Sequence, residues 1–343
     1  MKRAAAARKV AEPGAAGRGG AMAVRGGRVV AIGGGTGLAA LMSGLKGRVG
    51  AEIADLAAIV AVTDDGGSSG RLRRDFGVLP PGDIRNNLAA LADDSALATR
   101  LFQYRFEGGE GLSGHSFGNL FLMALADLTG DFPQAILTVE RILRTRGRIL
   151  PATLASVHLR GHGASGRVYE GETLIGRSGE PLVGIELVPG SCPAYGPALE
   201  AIGAADLVLV GPGSLYTSIL PNLLFPEIAR ALRETPAPVL LVLNLMTQPG
   251  ETQGLSALDH LAAIEDHVGP GLIDGALVHS GTVPEPRLGP YRAEGAEPLQ
   301  VDRAAFAARG IELVEADLLA GEGLVRHDPE KLAAALVARL SPR

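Results

Sequence analysis

VVAIGGGTG, residues Val29 to Gly37, decides how the rest of the chain is read: an apolar, β-rich run ends abruptly in four glycines and a threonine, and a helical pattern follows. Backbone without side chains can approach a pyrophosphate closely, and the amides that open the next helix sit at the positive end of its dipole. Gly33, Gly34, Gly35, Thr36 and Gly37 are therefore expected to bind phosphate. Leu38, Leu41, Met42 and Leu45 fall at i, i+3, i+4 and i+7, one apolar stripe that packs the helix on a sheet. Gly35, Gly37 and Ala40 also satisfy G-x-G-x-x-A, the dinucleotide fingerprint, but a chain with 48 glycines offers many chance matches. A glycine-rich turn that binds nothing has the same look, since many folds reuse it.

The next apolar run, Leu56 to Val62, leads into Thr63-Asp64-Asp65-Gly66-Gly67-Ser68-Ser69-Gly70-Arg71. An NAD enzyme ends this strand in one acidic residue for a ribose hydroxyl; two adjacent carboxylates make NAD a poor fit. Such a pair suits a hard divalent cation on a diphosphate, with Asp64 and Asp65 as its ligands. It equally suits a general base at a substrate hydroxyl, for which Asp65 is the candidate catalytic residue. Gly66, Gly67, Ser68 and Ser69 offer amides and hydroxyls, and Arg71, Arg73 and Arg74 offer neutralising charge. The plainer alternative is an Asx turn that needs Asp for backbone geometry alone.

Composition frames these loops. The 343 residues are 46% apolar and 20% charged, an ordinary globular chain of one large or two closely joined domains. Its one cysteine, Cys192, allows no internal disulfide and no thiolate metal cluster, as in a cytoplasmic protein. No apolar run is long enough to cross a bilayer, so membrane insertion is not expected. The first 28 residues carry seven basic side chains against Glu12 alone, with no apolar core of a signal peptide. Residues 1–27 read as a disordered basic tail, and Met22 could be the true start. With the formal net charge at −5, the rest of the chain carries −11. That balance, with no Trp, argues against nucleic-acid binding.

Further polar loops follow. After Pro80-Pro81-Gly82, Asp83 is expected as an N-cap, with Ile84, Leu88 and Leu91 on one helix face; Arg85, Asn86 and Asn87 ring the first turn, either toward a ligand across the crevice or as a solvated helix start. His115 and Asn119 stand at the entry of a helix whose Phe117, Leu120, Phe121, Ala124, Leu125 and Leu128 are expected to be largely buried. A further helix spans Phe132 to Leu143. Residues 148–190 then alternate in short runs between glycines, the pattern of a small antiparallel insertion acting as a wall or lid. His158 and His162 lack zinc-type spacing. A buried strand, Asp206 to Val210, precedes a second phosphate-type turn in which Gly211, Gly213, Ser214, Thr217 and Ser218 open another helix. The strand Val239 to Leu243 delivers Asn244 and Thr247 to the same edge. Ala276 to Val278 and Ile311 to Val314 read as edge strands, covered by a helix from Pro329. Loops gathered at strand carboxyl ends are what a Rossmann-like, doubly wound, mostly parallel α/β sheet provides for a ligand.

VVAIGGGTGLAALMSGLK, TDDGGSSGRLR, PPGDIRNNLAAL, GHSFGNLFL, GRILPAT, ADLVLVGPGSLYTSILPNLL and NLMTQPGET occur in order between about Arg28 and Arg339. Together they resemble the YvcK family of gluconeogenesis factors, relatives of CofD, the 2-phospho-L-lactate transferase of coenzyme F420 synthesis. The resemblance implies one CofD-like α/β domain over residues 28–343. It implies a cytoplasmic regulatory protein that binds UDP-sugars such as UDP-N-acetylglucosamine and supports cell shape on gluconeogenic carbon sources. The second reading it implies is a transferase using Mg²⁺ to move a phospholactyl-type group from a nucleotide diphosphate donor to an acceptor hydroxyl, with the acidic loop falling on Asp64 and Asp65. The YvcK form of the residues after them argues against deazaflavin recognition. The residues leave the oligomeric state open, with a homo-oligomer as the common default.

Overall fold

A computed structural model of the chain describes residues 26–93 and 96–340. The expected basic tail lies outside them except for its last two residues, of which Gly27 already opens the first strand. Met22 also lies outside.

Seven strands form one parallel sheet: β1 Gly27–Gly33, β2 Ile53–Val60, β3 Arg148–Pro151, β7 Leu207–Val210, β8 Val239–Val242, β9 Gly275–His279 and β10 Glu312–Ala316. A separate antiparallel sheet holds β4 His158–Gly163, β5 Val168–Glu170 and β6 Leu182–Val188 in the order β5-β4-β6. The large sheet runs β10-β9-β8-β7-β1-β2-β3. Its strands are near-continuous apolar runs because helices cover both faces. Along β1, Val30 and Ile32 enter one core and Val29 and Ala31 the other. The first core is closed by helix Pro226–Glu234 and by Leu159, Ile185 and Leu187 of the small sheet. The second is closed by α1 (Gly35–Leu45), α3 (Gly82–Leu91), α6 (Phe132–Leu143) and the helix Pro329–Val337. The stripe Leu38, Leu41, Met42 and Leu45 is fully buried there.

Three expectations need correction. Arg148–Pro151 is the parallel edge strand beside β2, so the antiparallel unit begins at His158 rather than at residue 148. Four residues are too few to reveal a period, and the adjacent apolar pair Ile149 and Leu150 is buried on opposite faces. β9 is not an edge strand: it pairs with both β8 and β10, and the edge on that side is β10. The helix from Phe117, α5 (Phe117–Thr129), is an outer layer packed mainly on α6, so Leu122 is buried while Leu128 is 81% exposed.

Candidate functional site

From β1 the chain builds outward through β2 to β3, then returns to the other side of β1 and continues through β7 to β10. The sheet therefore changes winding direction between β1 and β7, where open α/β sheets place their ligand crevice. The two glycine turns leave the sheet at this point side by side. Ile32 pairs with Val210, and Gly211 N donates to Ile32 O at 2.8 Å. A Cβ on Gly37 would stand 2.5 Å from the Pro212 carbonyl oxygen, so the turns meet only because that side chain is missing. Asn222, fully buried, donates to Gly33 O at 3.0 Å and ties the second loop to the first. Sequence reasoning missed it; its signal is one amide among the apolar residues of Ile219 to Leu224.

The second turn does not open a regular α-helix. A π-helical turn, Leu215–Ile219, intervenes before the short helix Leu220–Leu223, a geometry frequent at functional sites. The loop after β8 braces it. Asn244 takes Gly213 N at 3.2 Å and gives to Gly213 O at 2.8 Å, Gln248 donates to Ser214 Oγ at 3.0 Å, and Thr217 Oγ1 donates to Glu251 at 2.9 Å. Thr247 is engaged elsewhere: its amide and hydroxyl both bond the Glu297 backbone.

The carboxylates are arranged differently from the expectation. Asp64 Oδ1 accepts from Gly66 N at 2.8 Å, the Asx turn of the plainer reading. Asp65 Oδ1 accepts from Thr173 N at 2.9 Å and Thr173 Oγ1 at 2.7 Å, and its other oxygen lies where a Cβ on Gly171 would stand, 1.8 Å away. Asp65 thus fastens the β-insertion, through the turn α7 (Glu172–Ile175), onto the acidic loop. Asp83 is not an N-cap. Pro81 precedes α3, and the Asp83 carboxylate crosses to α1, accepting from Gly35 N at 2.8 Å. An internal carboxylate therefore already holds one of the amides expected to meet phosphate. Burial, then the neighbouring Asp64, raises the Asp83 pKa to about 6. Burial, then Asp83 and Asp64, pushes Glu172 well above the usual carboxylate range, and burial also raises Glu251. Among the described residues no three His, Cys, Asp or Glu side chains group as a metal cluster.

A second polar cluster lies at α2 (Gly67–Phe76), whose first turn carries Ser68 and Ser69, both buried. Asn119 Nδ2 donates to Ser68 Oγ at 3.1 Å, and Ser68 Oγ lies 2.9 Å from His115 Nδ1. Burial, then Arg71, lowers the His115 pKa and keeps the ring neutral at pH 7. The structure thus unites Ser68, His115 and Asn119, which the sequence named separately. Arg71 holds Ser113 O at 2.8 Å, and Asn86 accepts from the largely buried Arg85 at 2.6 Å. His158 and His162 lie on the small sheet facing Glu170 and Glu186.

Concavities lie both away from this crevice and beside it. One of about 490 Å³ includes Asp55, Glu140, Arg144 and Arg148 and reaches none of the glycine turns. The other, about 260 Å³, begins at Asn244 and therefore adjoins the crevice.

The sequence profile of the family described as 2-phospho-L-lactate transferase CofD matches residues 29–319. A relative from Nostoc sp. (strain PCC 7120) is 50% identical over 316 residues, 91% of this chain and 68% of that protein. The gluconeogenesis factor of Bacillus subtilis (strain 168) is 43% identical over 311 residues, 90% of this chain and 97% of that protein. A crystal structure of a UPF0052 family member from Bacillus halodurans superposes with a TM-score of 0.86 at 42% identity, covering 91% of this chain and 99% of that one.

Proposed function

This chain belongs to the gluconeogenesis-factor group of the CofD family, and on that premise we propose that it is a regulatory protein that binds a UDP-sugar such as UDP-N-acetylglucosamine in the crevice between β1 and β7. Its output would be control of cell shape during growth on gluconeogenic carbon. The observation that carries this reading is the meeting of the Gly33 to Gly37 and Gly211 to Ser214 turns at the switch point, where the backbone amides other than those of Gly35, Gly211 and Gly213 can face a diphosphate. Mg²⁺ enters the proposal as a companion of the ligand. It characteristically takes one or two carboxylates together with phosphate oxygens and water, so it needs no preformed protein cage. Asp64, whose only role in the fold described above is its Asx turn, is the better ligand; Asp65 is committed to the insertion.

The half-buried carboxylates Asp83, Glu172 and Glu251, all with pKa raised by burial, favour a second reading as a CofD-like transferase, since a carboxyl group that holds its proton more tightly is suited to proton transfer. Calorimetric and thermal-shift titrations with UDP-N-acetylglucosamine, UDP-glucose, GDP and NAD⁺, each with and without Mg²⁺, separate the readings. Saturable UDP-sugar binding without ligand breakdown is expected, with stabilisation of about 2.7 kcal/mol at 100 times Kd. Preferential Mg²⁺-dependent GDP binding would favour the transferase, and NAD⁺ binding would overturn both.

A further inference from the structure

The 260 Å³ cavity stands at the carboxyl ends of β8 and β9, displaced along the sheet edge from the glycine turns. Its inner wall is Asn244 and the end of β9, and its outer wall is the segment 298–301. That outer segment is held in place by Leu299 N, which donates to Leu245 O at 3.0 Å, and by the paired bonds between Thr247 and Glu297. Thr247, which the sequence suggested as a ligand contact, thus braces the segment that leads into this wall. We infer that this cavity receives the nucleobase of the ligand, an inference that rests on the nucleotide-sugar reading above.

Three features point to a base rather than to phosphate or sugar. No Asp, Glu, Lys or Arg lines the cavity, whose one titratable side chain is His279, so it offers a phosphate or a cation no permanent countercharge. The walls combine aliphatic Leu245, Val283 and Leu299 with polar Asn244, His279, Thr282 and Gln300. Apolar faces with a few polar groups suit a flat heteroaromatic ring, whose faces are apolar and whose edge needs hydrogen bonds; a polyhydroxylated sugar would leave most of its hydroxyls unmet. The volume lies below the ~300–1,000 Å³ typical of a site enclosing a whole drug-sized ligand and fits one ring system. The cavity is also placed correctly. Asn244 lines it and clamps Gly213 by both backbone groups, so a phosphate on the second glycine turn and a ring in the cavity lie on either side of one residue.

The test titrates the full chain and two variants, Thr282→Trp, which fills the cavity from its exposed rim, and Leu299→Ala, which removes part of a wall. The probes are UDP-N-acetylglucosamine, UMP and N-acetylglucosamine 1-phosphate. Thr282→Trp is expected to weaken both uridine nucleotides by at least ~10-fold, and Leu299→Ala by about 10-fold, leaving the sugar phosphate unchanged. A melting curve verifies that each variant is folded, and Leu299→Ala carries the test if the tryptophan variant is not. Wild type and both variants binding UDP-N-acetylglucosamine equally would place the base elsewhere and leave the functional reading standing. Binding of other nucleotides, but no UDP-sugar, with the same loss in the variants would sustain the cavity assignment and remove the UDP-sugar reading. A wild-type chain that binds no nucleotide overturns both.

Discussion

Asp83 shows how one side chain can occupy a place the sequence reserves for a ligand. Its half-buried carboxylate sits on Gly35 N at the start of α1, and loss of water around it, with the neighbouring Asp64, raises its pKa to about 6. In an unfolded chain an aspartate titrates near ~3.9. Between about pH 4 and pH 6 the folded state therefore keeps a proton that the unfolded state has lost, and stability falls as pH rises. Asp83→Asn keeps an acceptor for Gly35 but does not titrate. Relative to wild type it is expected to gain up to about 3 kcal/mol at pH 7.5 and almost nothing at pH 4, read by urea denaturation across that range. An equal offset at both ends would show that folding leaves the Asp83 pKa unchanged. The carboxylate itself was visible in the sequence, but its partner was not. Asp83 and Gly35 are 48 positions apart, and local rules see only the helix start beside the aspartate. The same limit hid the bond from Asp65 to Thr173, 108 positions away, while the local Asx turn of Asp64 was legible.

Elements were legible where a period had room to repeat. The buried stripe of α1 and the whole of α6 follow from spacing, because eleven and twelve residues give three turns each. β3, with four residues, gives no such signal, and its place in the large sheet is decided by β2. Nor could spacing show which helices touch. Gly44 of α1 lies against the C-terminal helix, where an added Cβ would stand 2.0 Å from the Pro329 carbonyl oxygen. Helix propensity alone favours alanine over glycine by about 1 kcal/mol, whereas overpacking costs about 1–3 kcal/mol. With backbone as the obstacle, packing wins. Gly44→Ala is expected to lose roughly 1–2 kcal/mol in denaturant unfolding, while Gly47→Ala, with nothing within 4 Å of its added Cβ, stays near wild type. Stabilisation by Gly44→Ala would mean that the two helices do not approach so closely in solution.

At the scale of the whole molecule, the order β10-β9-β8-β7-β1-β2-β3 divides the sheet into two wings that meet only along β1 and β7. The expected class of sheet was read from glycine turns at the ends of apolar runs, because each wing repeats the same strand, loop and helix grammar. The order was not, since nothing local marks which side of β1 the chain returns to. That return brings turns some 180 residues apart in sequence into contact, with Asn222 bonding Gly33 across 189 positions. A nucleotide-sugar bound there must touch both wings. Hydrogen exchange with saturating UDP-N-acetylglucosamine is therefore expected to slow amides of residues 33–38 on one wing and of 211–218 and 244–252 on the other. The interiors of β1 and β7, already buried and bonded, should change little. Slowing confined to one wing would place the ligand off the switch point, because a molecule contacting only the β2 or the β8 side has no means of ordering the opposite turn.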